Sequence, residues 1–158
     1  MAKIFVPQPI PEVAAAALEK LGEVTTFPHV DRQISESELL EAVVDKDILF
    51  GIGEVPFNEQ VINAAKELKF ISVMHGTAKF IDFAAATRRN IPVSGQKSMT
   101  RKTTAEFTFA LLMATAWRLP EANTFLREGR WQQNQSMAFM GTRLYGKTLG
   151  IVGMGQIG

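Results

Sequence analysis

The chain has 158 residues, 17 Lys plus Arg against 16 Asp plus Glu, and 46% hydrophobic residues, enough to bury the core of one domain or slightly more. The near balance of charge gives no electrostatic case for nucleic acid or an anionic membrane surface as partner. There is no cysteine, and His29 and His75 are far apart in sequence, which excludes disulfides, thiol nucleophiles, thiolate metal sites and a His-rich cluster.

The N-terminal stretch MAKIFVPQPIPEVAAAALEK is a poor signal peptide, because Pro7, Pro9, Pro11 and Glu12 interrupt its apolar run. The apolar stretch from Ala105 to Leu119 is short for a membrane span and carries Glu106, Thr108, Thr115 and Arg118. A soluble, cytoplasmic protein is expected.

Lys3–Val6 (KIFV) reads as a strand ended by a proline-rich turn. Val13, Ala17, Leu18 and Leu21 recur near helical spacing over 11–21, with Gly22 as the stop. Glu23–Phe27 (EVTTF) reads as a second strand. Ser35 and Glu38 form an S-x-x-E capping box for a helix over 35–44. Asp47–Ile52 is a buried-type strand, and Asn58 can cap a helix through Val61, Ile62, Ala65 and Leu68. Phe70–Met74 is the next strand, Asp82 can cap FAAATRR, Asn90 is a left-handed stop, and Ile91–Ser94 is a last short strand.

Strand and helix thus alternate five times, and the strands are apolar runs without polar alternation. That pattern predicts an α/β fold: a parallel sheet with helices on both faces and right-handed crossovers. After Ser94 the rhythm changes. Thr103 and Thr104 are expected to cap a long helix to Leu119 whose apolar residues (Phe107, Phe109, Leu111, Leu112, Met113, Trp117) point to every side. Such a helix needs cover from a second domain or a partner subunit. Pro120 begins another helix that Gly129 ends. Residues 131–143 read as a loop, and Thr148–Val152 (TLGIV) as a fresh strand.

Gly153, Gly155 and Gly158 follow that strand as G-x-G-x-x-G. The first glycine permits the tight turn, the second lets backbone approach a pyrophosphate, and the third lets the following helix pack on the strand. A dinucleotide site is favoured over an ordinary glycine-rich turn because the motif directly follows an apolar strand. The helix that would face the phosphates and the acidic residue that would hold the ribose are not within these residues. The sequence therefore reads as the front part of a longer enzyme. TLGIV is expected to have no sheet of its own here.

The segments TAEFTFALLMATAWRLPEANTFLREGRW and FMGTRLYGKTLGIVGMGQIG resemble the D-isomer-specific 2-hydroxyacid dehydrogenases, in FMGTRLYGKTLGI especially the phosphoglycerate dehydrogenases. The likeness is close from about Leu68 onward. Before that it is one of rhythm.

The resemblance implies a flavodoxin-like substrate domain over 1–99, interdomain helices and loop over 100–145, and the start of a Rossmann domain over 146–158. It also implies hydride transfer between NAD or NADP and a D-2-hydroxy or 2-keto acid, with no catalytic residue before Gly158. A homodimer through 103–145 is implied as well.

In the family, a loop after the FISVM strand holds the substrate carboxylate on backbone N–H groups. Here that loop reads HGTAKFID and places Gly76, Thr77 and Ala78 towards the carboxylate. Thr77 stands where the family has its second glycine, and Lys79 where it has Asp. Lys79 is read as a solvated surface lysine ahead of an anion contact, and His75 as a loop histidine without chemistry. Thr104 matches a threonine near the nicotinamide, and Gln156 and Ile157 occupy the variable pair of the glycine turn. The Ile52–Gly53 turn is a weaker candidate for the substrate pocket. The alternative to an oxidoreductase is a non-catalytic binding or dimerisation module of the same fold.

Overall fold

The computed structural model describes residues 1–74, 78–96, 100–134 and 137–158. They fall into two compact units, Met1–Lys97 and Ser98–Gly158.

The first unit is built on five parallel strands: β1 (Ala2–Val6), β2 (Gly22–Thr26), β3 (Ile48–Gly51), β4 (Phe70–Val73) and β5 (Val93–Gly95). Their order is β2-β1-β3-β4-β5, the flavodoxin-like arrangement. The register runs Ile4 against Val24 on one side of β1 and against Ile48 on the other, then Leu49 against Ile71 and Ile71 against Val93. Central strands carry apolar residues on both faces because helices cover both. The connecting helices are α1 (Glu12–Glu19), α2 (Glu36–Ala42), α3 (Glu59–Ala64) and α4 (Phe83–Arg88). With right-handed crossovers, the step from β1 to β2 runs opposite to the other three. That puts α1 on one face and α2, α3 and α4 side by side on the other.

The local signals work as chemistry. Ser35 Oγ accepts from the Glu38 N–H at 3.3 Å, while the Glu38 carboxylate accepts from the Ser35 N–H at 2.9 Å, which completes the capping box of α2. Asn58 accepts from the Val61 N–H at 3.0 Å and Asp82 from the Ala85 N–H at 2.8 Å, satisfying donors that α3 and α4 would otherwise leave open. The Arg89 guanidinium closes the other end of α3. It donates to the carbonyls of Ala65 and Lys66, each at 2.9 Å, and to that of Ile62, where cations suit the helix dipole. Asn90 takes the left-handed conformation at φ 53°.

In α1 the inward face is Ala14, Ala15 and Leu18, and Val13 and Leu21 are exposed. The apolar spacing predicted Val13 and Leu21 inside. Only Ala14, Ala15 and Leu18 are partly covered, so the helix rests on the sheet through a narrow face and Val13 and Leu21 fall outside it. The core joins Phe5, Leu49 and Ile71 of the sheet to Leu39, Val43, Val61, Ile62, Ala85 and Ala86 of the helices.

The second unit contains α5 (Arg101–Ala116) and α6 (Leu119–Arg127). Arg118 is left-handed between them, at φ 52°, with Pro120 in the first turn of α6. Helix α5 starts before the expected point: its cap residue is Thr100 and makes no side-chain cap bond. The Thr103 and Thr104 hydroxyls lie inside the helix and donate back to the Thr100 carbonyl at 3.0 and 2.6 Å. They are back-bonded helix residues and not caps.

Phe125 meets Phe139 edge-on at 5.0 Å, and Arg118 and Arg130 lie over Phe139 and Phe125. No described residue from 100 to 158 is buried. Residues 148–152 are exposed and form no strand, with no ladder partner among the described residues. Hydrogen-bonded neighbours make a strand, and apolar residues alone do not.

Candidate functional site

The chain order places the site. From β1 the chain steps to β2 on one side, then crosses back to β3 on the other. The crevice outside the carboxyl ends of β1 and β3 is therefore the topological switch point, where open α/β sheets bind ligands.

Two turns face each other there. Pro7, Gln8 and Pro9 follow β1, and Ile52, Gly53 and Glu54 follow β3. Gly53 has φ 69°, a conformation side chains rarely adopt. A Cβ on it would also lie 3.1 Å from Gln8 Oε1, so the Gln8 carboxamide fills the space a larger residue would need. Glu54 is exposed beside it.

The next strand contributes the neighbouring loop. The Met74 N–H donates to the Gly51 carbonyl at 3.0 Å, which ties the end of β4 to the end of β3. Beyond it, His75, Gly76 and Thr77 lie outside the described residues. Ala78 begins a short 3-10 turn, Ala78–Phe80. The far side of this loop is pinned by a bridge between Phe57 and Ile81. The Phe57 N–H donates to the Phe80 carbonyl at 2.7 Å, and the Asp82 N–H to the Phe57 carbonyl at 3.0 Å. Phe57 is 1% exposed; its burial anchors the loop to the core. Lys79 is exposed, with its ammonium 5.6 Å from the centre of the Phe80 ring.

A cleft of about 420 Å³ opens at this same end of the sheet, with Pro7, Gln8, His29, Arg32, Gln33 and Val55 in its walls. Its cation is already engaged. Arg32 donates to both Glu38 carboxylate oxygens at 2.8 and 2.7 Å, and its guanidinium lies over Phe27 at 4.9 Å. The Arg32 and Ser35 hydrogen bonds hold the Glu38 carboxyl well below the usual carboxylate range. His29 stacks at a tilt against the same Phe27 ring, 5.2 Å between centres.

The residues expected at the cofactor lie in the second unit. Thr104 is exposed on α5 with its hydroxyl turned back to Thr100. Gly153, Gly155, Gln156, Ile157 and Gly158 are all exposed at the end of the chain. Gly153 has φ 95°, and a Cβ on Gly155 would meet nothing within 4 Å. One on Gly158 would lie 2.4 Å from the Gly153 carbonyl oxygen. Among the described residues no group of His, Cys, Asp and Glu could hold a metal ion, and no helix is long and apolar enough to cross a membrane.

Gln8 and the cleft around it are not evident in the sequence. The only local signal is a polar residue between two prolines directly after an apolar strand. Strand order is what brings it against Gly53.

The family model for the D-isomer specific 2-hydroxyacid dehydrogenase catalytic domain matches residues 4–149. A glyoxylate reductase of Korarchaeum cryptofilum is 36% identical over 157 residues, covering 99% of this chain and 47% of that protein. A D-3-phosphoglycerate dehydrogenase of Methanocaldococcus jannaschii is also 36% identical, over 158 residues, covering 100% of this chain and 29% of that one. The solved TT0316 protein from Thermus thermophilus superposes with a TM-score of 0.87 at 30% identity, over 98% of this chain and 50% of that one. The chain spans about half the length, or less, of the curated relatives it matches.

Proposed function

Since the chain belongs to the D-isomer specific 2-hydroxyacid dehydrogenases, we propose that it supplies the substrate-binding part of an oxidoreductase. That enzyme moves a hydride between NAD or NADP and a D-2-hydroxy acid or its 2-keto acid. The observation that carries the proposal is the family match over residues 4–149, on a sheet whose switch point opens at Gln8 and Gly53.

In this reading residues 1–99 form the substrate domain, 100–145 the interdomain helices and loop, and 146–158 the start of the nucleotide-binding domain. Backbone N–H groups of Gly76, Thr77 and Ala78 hold the substrate carboxylate. Rigid donors aimed at a fixed anion suit that task, because they need no reorganisation when charge arrives. Gly153, Gly155, Gln156, Ile157 and Gly158 approach the pyrophosphate, and Thr104 lies near the nicotinamide end. When bound, the nicotinamide supplies or accepts the hydride. In the reducing direction the keto carbon gains the hydride and its oxygen gains a proton, leaving the 2-hydroxy acid and the oxidised cofactor. The residue that gives that proton lies outside these 158 residues. This chain's part is to bind and orient.

The exposed apolar side chains of α5 support a homodimer through 103–145. Phe107 is 64% and Phe109 58% exposed, apolar surface that a partner would take out of water. The same observation favours a second reading, a binding or dimerisation module without catalysis.

A polypeptide extended through its nucleotide-binding half separates the two. With folded protein, oxidation of NADH or NADPH by a panel of 2-keto acids (glyoxylate, hydroxypyruvate, 3-phosphohydroxypyruvate) is expected. No turnover across the panel would favour the module. The 158 residues by themselves are expected to bind NAD poorly, because the helix that faces the phosphates is missing from them. Micromolar affinity by calorimetry would contradict that.

A further inference from the structure

We infer that Gly141 is a positioning residue for the cofactor: it seats the returning chain on the end of α5, and that seat fixes where the phosphate turn starts. The inference rests on the functional reading above and goes beyond it in naming what aligns the two ends of the cofactor site.

The chain leaves α5 at Ala116 and is back against it at Gly141. The Thr142 N–H donates to the Ala116 carbonyl at 2.7 Å, one of the carbonyls that the end of a helix leaves open. A Cβ on Gly141 would lie 2.6 Å from that same carbonyl oxygen and 2.8 Å from the Trp117 Cα. Both are backbone atoms, which no change of rotamer moves aside. Glycine at 141 is therefore a condition of the close approach.

Two strained residues flank the seat. Arg118, where the chain departs, and Phe139, where it returns, are both left-handed, at φ 52° and 54°, a conformation that is costly for a residue with a Cβ. They meet each other. The Arg118 guanidinium lies 5.5 Å from the centre of the Phe139 ring, and that ring meets Phe125 of α6 edge-on. These contacts offset the strain and hold both sides of the seat together.

The seat serves both ends of the proposed cofactor site. Thr104 lies on the same helix, twelve residues before Ala116, which is about 18 Å at the helical rise. Gly153 follows Thr142 by eleven residues, and every residue between them except Leu144 is exposed. Little burial holds that stretch, so the seat is what anchors it to the helix.

The test uses the polypeptide extended through its nucleotide-binding half, and compares wild type with Gly141→Ala. Three quantities are read: the exchange rate of the Thr142 amide, Kd for NADH or NADPH by fluorescence titration, and KM for the 2-keto acid reduced fastest, at saturating cofactor. Gly141→Ala is expected to speed the exchange and raise Kd about tenfold while KM stays within about twofold, the split of a change that displaces the cofactor alone. Met140→Ala, at an exposed neighbour, should leave all three within about twofold. If Gly141→Ala does not fold, Phe139→Leu takes its place. It keeps the left-handed strain and removes the ring, and should raise Kd about threefold with the same split. An unmoved Thr142 amide, an unchanged Kd despite faster exchange, or equal rises in Kd and KM would overturn the inference while leaving the dehydrogenase reading intact. Failure of the wild type to bind either cofactor or to reduce any 2-keto acid would overturn that reading itself.

Discussion

The two units bury their apolar residues to very different degrees. Met1–Lys97 holds the whole described core, from Ile4 to Ile91, whereas the described residues of Ser98–Gly158 include none that is buried. Both are rich in large apolar side chains. What differs is whether the chain supplies its own cover. In the first unit five strands and four helices shield each other. In the second, α5 and α6 expose Phe107, Phe109, Leu111, Trp117 and Leu126, and the hydrophobic term that stabilises a fold is left unspent. The difference teaches that apolar content alone does not make a core: the first unit covers its own, and the described residues of the second leave theirs to water.

Single substitutions break this comparison most sharply. Phe57 is 1% exposed and anchors the loop ending at Ile81. Phe57→Ala is expected to cost about 3–5 kcal/mol in urea unfolding of the chain. Arg89→Ala frees the carbonyls of Ala65 and Lys66 at the end of α3 and should cost about 1–3 kcal/mol. Phe109 is 58% exposed, so Phe109→Ala should change the same stability by less than about 0.5 kcal/mol. If the proposed homodimer forms through α5, its effect should appear in sedimentation as weaker association. A large unfolding cost at Phe109 in a monomeric chain would mean that the second unit has a core of its own.

Acid sharpens the comparison more gently. Asp45 is pushed down to about 2 by hydrogen bonds from Lys3 and Lys46. Asp47 is lowered by Lys69 and the Lys3 N–H, and Glu38 by Arg32 and Ser35. All three belong to the first unit. A carboxylate whose folded pKa is depressed stabilises the fold above its unfolded pKa, and that contribution fades as pH falls through the folded value. The urea midpoint should therefore be flat above about pH 5 and decline from about pH 4 towards pH 2, less steeply in high salt because these pairs are exposed. A midpoint that rises on acidification would contradict the pairing.

Much of the first unit was legible because its signals are local. The Ser35–Glu38 box, the Asn58 and Asp82 caps and the left-handed Asn90 each sit within four residues of the group they satisfy. Parallel pairing followed from strands apolar on both faces. The start of α5 was misplaced for the complementary reason: Thr100 makes no side-chain cap bond, so the threonines that look like caps are ordinary helix residues. TLGIV reads as a strand and lacks one here, because strand formation depends on neighbours that local sequence does not encode. Gln8 shows the limit for sites. Nothing near it in sequence marks it, and only the reversal of strand order between β1 and β3 sets it against Gly53.

Amide hydrogen exchange on the 158-residue chain, followed across a dilution series, tests the contrast between the two units most directly. The account predicts slow exchange in β1, β3 and β4 at every concentration. In α5 it predicts fast exchange in the dilute monomer that slows as chains associate. Equally slow exchange in α5 at dilutions where the chain is monomeric would contradict it.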